Sequence, residues 1–305
     1  MGELNDILER LRVSLGPLDG DPTELAGGIT NRNFRVTLGG EEYVVRRPGK
    51  DTELLGIDRD AERIATEGAA RLGIAPAVAA AFEDCLVTSF IACAPLAASD
   101  VAARAAELAI VLRRIHDSAL ALPASFRVTA LLADYAAVLA KRGRAIPAPY
   151  ARAVARAGEI DAALARERAC ACHNDLLAGN IIAAADDQRL MLVDWEYAGM
   201  GDPRFDLGNL SVNNGFDDGA DERLLGAYYG APPSDAQRAA LKLMRVLSDV
   251  REAAWGVVQG EVSELDFDFA GYAREHFERI EATVAEQPFA EWLAAARGGG
   301  DGQAA

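Results

Sequence analysis

Residues 172–197 read C-H-N-D-L-L-A-G-N-I-I-A-A-A-D-D-Q-R-L-M-L-V-D-W-E-Y, and no other stretch restricts the fold as strongly. Ile181 to Ala183 and Leu190 to Val193 are two short apolar runs, with Asp186 and Asp187 supplying turn chemistry between them. That pattern predicts a β-hairpin. A turn centred near Asp187 places Asn180 opposite Asp194 at the open end of the ladder, where directly opposed Cβ atoms stand about 4.5–5.5 Å apart. Two hard oxygen ligands at that spacing suit one Mg²⁺ ion together with substrate phosphates. Asp175, five residues upstream of Asn180, reaches the same space as a base. The competing reading is a hairpin whose carboxylates are simply solvated. An H-x-D-x-x-x-x-N match alone is weak, but joined to a hairpin ending in D-W-E-Y it becomes specific.

Charge narrows the partners. The 305 residues carry a formal net charge of −16, which argues against a non-specific nucleic-acid binder and against an anionic-membrane surface protein. The acidity is compatible with a cationic substrate, and a solvated acidic surface explains it equally well. No apolar run approaches the roughly 18 residues of a membrane span, and M-G-E-L-N-D-I-L-E-R lacks the regions of a signal peptide. The chain is therefore expected to be cytoplasmic. Cys85, Cys93, Cys170 and Cys172 suggest no disulfide framework. C-A-C-H lacks metal-site spacing, so Cys170 and Cys172 read as apolar filling.

Taken in order, Leu4, Ile7, Leu8, Leu11 and Leu15 predict an amphipathic first helix. G-G-I-T-N-R-N-F-R-V-T-L, residues 27–38, reads as a glycine turn feeding a strand, and Gly39-Gly40 turns into a second strand over 42–47. The glycine turn is either a phosphate-binding loop or only a hairpin. Arg46 and Arg47 face opposite ways on their strand, so one of them points into a cleft. Asp58 caps a helix that carries Glu62 in its first turn, and only a basic strand partner such as Arg46 would give Glu62 more than a surface role. A further strand covers Leu86 to Ile91. Beyond Ser99 the periodicity is helical, with helices expected at 129–142, 148–168, 220–230, 234–260 and 266–286. His116 reads as a satisfied structural residue. Asp206 in G-D-P-R-F-D-L-G-N-L reads as a loop-fixing carboxylate.

These motifs, in this order, resemble the choline/ethanolamine kinase branch of the aminoglycoside phosphotransferase superfamily. The likeness runs from about Gly27 to Ile280 through G-G-I-T-N-R-N-F, V-V-R-R-P-G, I-D-R-D-A-E, H-N-D-L-L-A-G-N, D-W-E-Y-A-G-M-G-D-P-R-F-D-L-G-N-L and W-G-V-V-Q. It implies an α+β, bilobal protein-kinase-like fold. Residues 1–91 would form a small β-rich nucleotide-binding lobe, and 92–295 a larger helical lobe for catalysis and acceptor binding. Residues 296–305 would be a disordered tail.

The implied cofactors are ATP and Mg²⁺. Asp175 would be the base, with Asn180 and Asp194 as metal ligands. Arg46, paired with Glu62, would serve the phosphates, with Thr30 and Asn31 in the phosphate loop. Ser89, Phe90 and Ile91 would lie against the adenine. Asp194 is followed by Trp195-Glu196 rather than Phe-Gly and no activation segment is evident, so the implied acceptor is a small molecule.

Trp255 and Tyr272 resemble aromatic positions that face a choline cation, with Tyr197 next to the site, and ordinary helix packing is their alternative reading. Glu252 and Asn213 stand where animal choline kinases have tryptophan and glutamate, which keeps ethanolamine in play. The expected partner is thus a small cationic alcohol, choline first and ethanolamine next. Two rivals are an aminoglycoside phosphotransferase, with Glu261, Glu264, Asp266 and Asp268 forming an acidic groove, and a nucleotide-binding pseudokinase. The oligomeric state stays open.

Overall fold

The computed structural model describes residues 2–25, 31–164, 167–263 and 265–298. Helix α1 (Gly2–Leu15) presents Ile7, Leu8 and Leu11 to the first sheet, as the periodicity predicts. The sheet contains β1 (Thr23–Leu25), β2 (Asn31–Leu38), β3 (Glu41–Pro48), β4 (Val78–Phe82) and β5 (Cys85–Ser89), in antiparallel order β1-β2-β3-β5-β4. Phe34, Val36 and Leu38 alternate inward on β2 and meet Val45 and Val87 in one apolar core. Gly39 and Gly40 both have positive φ (60° and 85°), which a two-residue hairpin loop requires. A Cβ on Gly39 would also lie 2.4 Å from the Leu15 carbonyl oxygen, so glycine is needed where α1 meets the turn.

Helix α2 (Arg59–Arg71) is capped by Asp58, whose side chain accepts from the Ala61 N–H at 2.9 Å. After β5 the chain runs through Phe90 and Ile91 into β6 (Cys93–Ala94), which pairs with the first strand of a hairpin in the second lobe. That lobe continues with α3 (Ala98–Ala103), α4 (Ala105–His116), α5 (Val128–Lys141) and α6 (Ala148–Ala163). Helix α6 thus ends five residues before the expected 168. Strand β7 (Cys170–Cys172) is followed by the loop and by the hairpin β8 (Ile181–Ala184) and β9 (Leu190–Leu192), and β10 (Gly199–Gly201) returns to pair with β7.

Helices α7 (Pro203–Asn213), α8 (Asp218–Tyr229), α9 (Asp235–Val262), α10 (Phe269–Ala285) and α11 (Gln287–Gly298) complete the fold. The 28-residue α9 starts from a Ser234/Gln237 capping box and packs against α5, α6, α7, α10 and α11. Its Leu243, Val250, Ala253 and Val258 are fully buried in one of the two helical cores. The expected tail begins too early, because α11 extends to Gly298 and buries Ala296; the remainder of that tail lies outside the described residues. Among the described residues no helix is long and apolar enough to cross a membrane.

Candidate active site

The loop after β7 is held by side chains from α7. Asp206 accepts from the backbone N–H groups of His173 (2.9 Å) and Asn174 (2.7 Å) and from His116 Nε2 (2.9 Å). The Tyr228 hydroxyl, 2.8 Å from His116 Nδ1, completes that histidine. The loop-fixing role read for Asp206 and the structural role read for His116 both hold. Asn209 Oδ1 accepts from Leu176 N–H at 2.5 Å, and Asn214 Nδ2 donates to the Leu176 carbonyl at 2.9 Å. Burial pushes the Asp206 carboxyl up, but its bond to His116 and the two imidazoles beside it outweigh that and hold it below the usual carboxylate range. His173 is fully buried, which lowers its pKa; its Nδ1 accepts from Asp175 N–H (3.2 Å) and its Nε2 donates to the Val193 carbonyl (3.0 Å). A loop this tightly bonded orients Asp175 with little freedom.

Asp175 is buried, and burial pushes its carboxyl up to about 7 against the opposing pull of Arg251. Asn180 Nδ2 donates both to the Asp175 carbonyl (2.8 Å) and to Asp175 Oδ2 (3.0 Å). The hairpin register corrects one expectation. Ile181 faces Leu192, Ile182 faces Met191 and Ala183 faces Leu190, and Val193 N–H donates to the Asn180 carbonyl at 3.0 Å. Asn180 is therefore opposite Val193, not Asp194. The four-residue connection Ala185–Gln188 is centred between Asp186 and Asp187, half a residue before the expected centre. That half residue moves every pairing by one. Asp194 has left the ladder with φ 66°, and its side chain turns to the opposite lobe.

There it pairs with Arg46, whose Nη1 also donates to Glu62 Oε1 at 2.8 Å. Arg46 is thus the arginine that faces the cleft, and Glu62 is a buried partner rather than a surface residue. Burial works against the Arg46 charge, but Asp194, Glu62 and Glu196 together raise its pKa above the ordinary value. Asn31, the first residue of β2, donates from Nδ2 to Glu196 Oε2 at 2.8 Å. Arg59 spans the group, with contacts to Glu62 (2.6 Å), Thr52 (2.9 Å) and, at 3.5 Å, Glu196. Burial and the neighbouring Asp194 push the Glu196 carboxyl up to about 8. Thr30 lies outside the described residues. Ser89, Phe90 and Ile91 are half-buried where the sheet passes to the second lobe; Phe90 N–H donates to the Glu42 carbonyl and its ring lies 4.1 Å from the Arg35 guanidinium.

On the other side of Asp175, α9 and α10 bring Glu252, Trp255 and Tyr272 together with Tyr197. Trp255 Nε1 donates to the Tyr197 hydroxyl (2.8 Å), and the Tyr272 hydroxyl donates to Glu252 Oε2 (2.8 Å). The Trp255 and Tyr272 rings meet edge-on, with centroids 5.6 Å apart. Arg251, which no sequence argument singled out, sits among them. Its Nη1 donates to Glu252 Oε1 (2.6 Å) and to Asp175 Oδ1 (3.3 Å), and its guanidinium carbon lies 4.2 Å from the Tyr197 ring centroid.

Among the described residues, the carboxylates of the expected acidic groove have other partners or face solvent. Glu261 is bonded by Arg144, Asp268 caps α10 through the Gly271 N–H, and Glu264 lies outside the described residues. Asp266 is exposed, and among the described residues Asn213 Nδ2 is buried with no hydrogen-bond partner. Glu196, Arg59 and Arg251 were missed. For Arg59 the signal was its place three residues before Glu62 on one helix face; for Arg251, whose partner Asp175 is 76 residues earlier, there was none.

A family model described as "Phosphotransferase enzyme family" matches residues 21–242. A choline/ethanolamine kinase family protein from Mesorhizobium loti superimposes with a TM-score of 0.79 at 32% identity, covering 95% of this chain and 98% of that one. The choline kinase LicA from Streptococcus pneumoniae superimposes at 0.76 with 25% identity over 93% of this chain and 99% of its own, and a LicA structure in complex with AMP matches as well. "Probable choline kinase 1" of Arabidopsis thaliana is 25% identical over 91% of this chain and 88% of its own length. With its two lobes, its bonded H-N-D loop and its cross-lobe arginine, the chain belongs to the choline/ethanolamine kinase family of phosphotransferases, enzymes of protein-kinase-like fold that act on an alcohol group.

Proposed function

We propose that the chain transfers the γ-phosphoryl group of ATP to the hydroxyl of a small amino alcohol, with choline and ethanolamine as the two candidate acceptors. The observation that carries this reading is the position of Asp175, bonded on one side to Asn180 and on the other, through Arg251, to the wall of Glu252, Tyr197, Trp255 and Tyr272. A base at that junction touches both the phosphoryl side and the acceptor side.

In the proposed reaction Asp175 orients the acceptor hydroxyl and accepts its proton as the hydroxyl oxygen bonds to the γ-phosphorus and the bond to the ADP oxygen breaks. Positioning and charge neutralisation carry most of such a transfer. Asn31, Arg46 and Arg59 lie where phosphates would enter, and Ser89 to Ile91 line the path between the lobes. The donor set also fits Mg²⁺: among the described residues Asp194 Oδ1 is buried with no hydrogen-bond partner, and Asn180, whose Nδ2 is committed to Asp175, has an amide oxygen to offer. Asp194 and Asn180 would hold the ion, which supplies neutralisation of charge on the transferring phosphate.

The test is a turnover screen with ATP and Mg²⁺ against choline, ethanolamine and an aminoglycoside panel. Phosphorylation of either amino alcohol supports the reading. Turnover of aminoglycosides alone overturns it, and ATP binding without any turnover supports the pseudokinase instead.

A further inference from the structure

We propose that Arg251 selects the acceptor: its guanidinium occupies the cation position against Tyr197 and disfavours a quaternary ammonium, so that ethanolamine-type primary amines are preferred over choline. This rests on the amino-alcohol reading above and deepens it.

A quaternary ammonium has no N–H donors, so its recognition depends on aromatic faces and on diffuse negative charge. Arg251 removes a share of both. It lies 4.2 Å from the Tyr197 ring centroid, covering that face, and its Nη1 neutralises Glu252 at 2.6 Å. Trp255 is likewise engaged, edge-on with Phe269 (5.8 Å) and Tyr272 (5.6 Å). A primary ammonium retains an alternative. Each carboxylate oxygen has two lone-pair directions, so Glu252 can accept a further directional bond while still paired with Arg251 and Tyr272.

Arg251 is also poorly explained as a structural residue. It is 2% exposed, and among the described residues only its Nη1 has a hydrogen-bond partner, while Nε and Nη2 are buried without one. A buried arginine kept only for packing would use its planar set of donors, since each unpaired one is costly. The charge is kept at this place despite that cost.

The probe is tetramethylammonium, which carries the quaternary cation but no hydroxyl, titrated calorimetrically into the full chain. R251M removes the charge at similar length, and R251K keeps it. Binding in R251M is expected to be about tenfold tighter than in wild type, the scale of one recovered aromatic face, with R251K unchanged. The choline-to-ethanolamine ratio of kcat/KM should rise with it. A purely structural role would lower both acceptors together and leave that ratio alone.

Should R251M fail to fold, R251Q removes the charge while keeping an N–H donor for Glu252; it too should bind the probe more tightly than wild type. Equal probe affinity in wild type and the charge-removing variant overturns the inference, as does an equal gain in R251K, which would mean space rather than charge. Because the probe cannot be phosphorylated, failure here is distinct from failure of the turnover screen.

Discussion

Asp206→Asn is the most informative single change outside the reacting groups. One carboxylate oxygen serves His173 N–H and His116 Nε2, and the other serves Asn174 N–H at 2.7 Å. An amide has only one acceptor oxygen. If it takes the shared position, its NH₂ meets the Asn174 N–H donor to donor; if it takes the other, two donors lose their partner. Either way at least one buried backbone N–H and the new amide group are left unpaired. At about 1–3 kcal/mol for each unsatisfied group, the cost is about 2–6 kcal/mol. Thermal unfolding should then fall by about 5–10 °C, and kcat by about 10–100-fold through a misplaced Asp175.

The pH dependence carries a second check. The folded pKa of Asp206 is lowered, so its stabilisation is fully present above the unfolded value of about 3.9 and is lost as pH falls through the lower folded value. The stability gap between wild type and variant should therefore be constant from neutral pH down to about 4 and narrow only below it. A gap that closes between pH 5 and 7, or a variant with unaltered Tm and kcat, would refute this account of the loop.

Asp175→Asn should reduce kcat by about 10²-fold or more with ATP affinity little changed, measured by steady-state kinetics and nucleotide titration; near wild-type turnover would rule out the base assignment. Asp194→Asn should weaken Mg²⁺–nucleotide binding and abolish turnover, read from Mg²⁺ titrations against bound ATP. An unchanged Mg²⁺ dependence would remove Asp194 from the proposed metal site.

Local chemistry was legible in the sequence; distant partnership was not. The His173–Asn180 loop, the Asp58 cap and the loop-fixing Asp206 each rest on spacing within a short segment, and each stands where it was expected. The Arg46–Glu62 pair was legible conditionally, because strand alternation left two arginines to choose between. The hairpin register was lost on a turn whose centre two adjacent aspartates cannot fix to half a residue, and Gln188, with φ 57°, carries the left-handed position instead. Arg251 was lost for a different reason. An arginine on a long helix reads as solvent-facing, and only the tertiary approach of Asp175 and Tyr197 makes it a buried cation.

The same distinction explains how the lobes are joined. Arg46 and Arg59 come from the first lobe with Glu62, and the second lobe sends Asp194 and Glu196 from a segment of three residues. Three carboxylates beside two guanidiniums would leave one buried negative charge. Removing a charge from water uncompensated is costly, and the strain falls on Glu196 beside Asn31: burial and the neighbouring Asp194 push the Glu196 carboxyl up to about 8. Each guanidinium has a carboxylate partner in reach. Buried pairs of this kind add little net stability over apolar packing, but breaking one from a single side is expensive. By that reasoning the cluster contributes register and orientation rather than stability: its contacts tie β3 of the first lobe to the segment that follows the hairpin of the second.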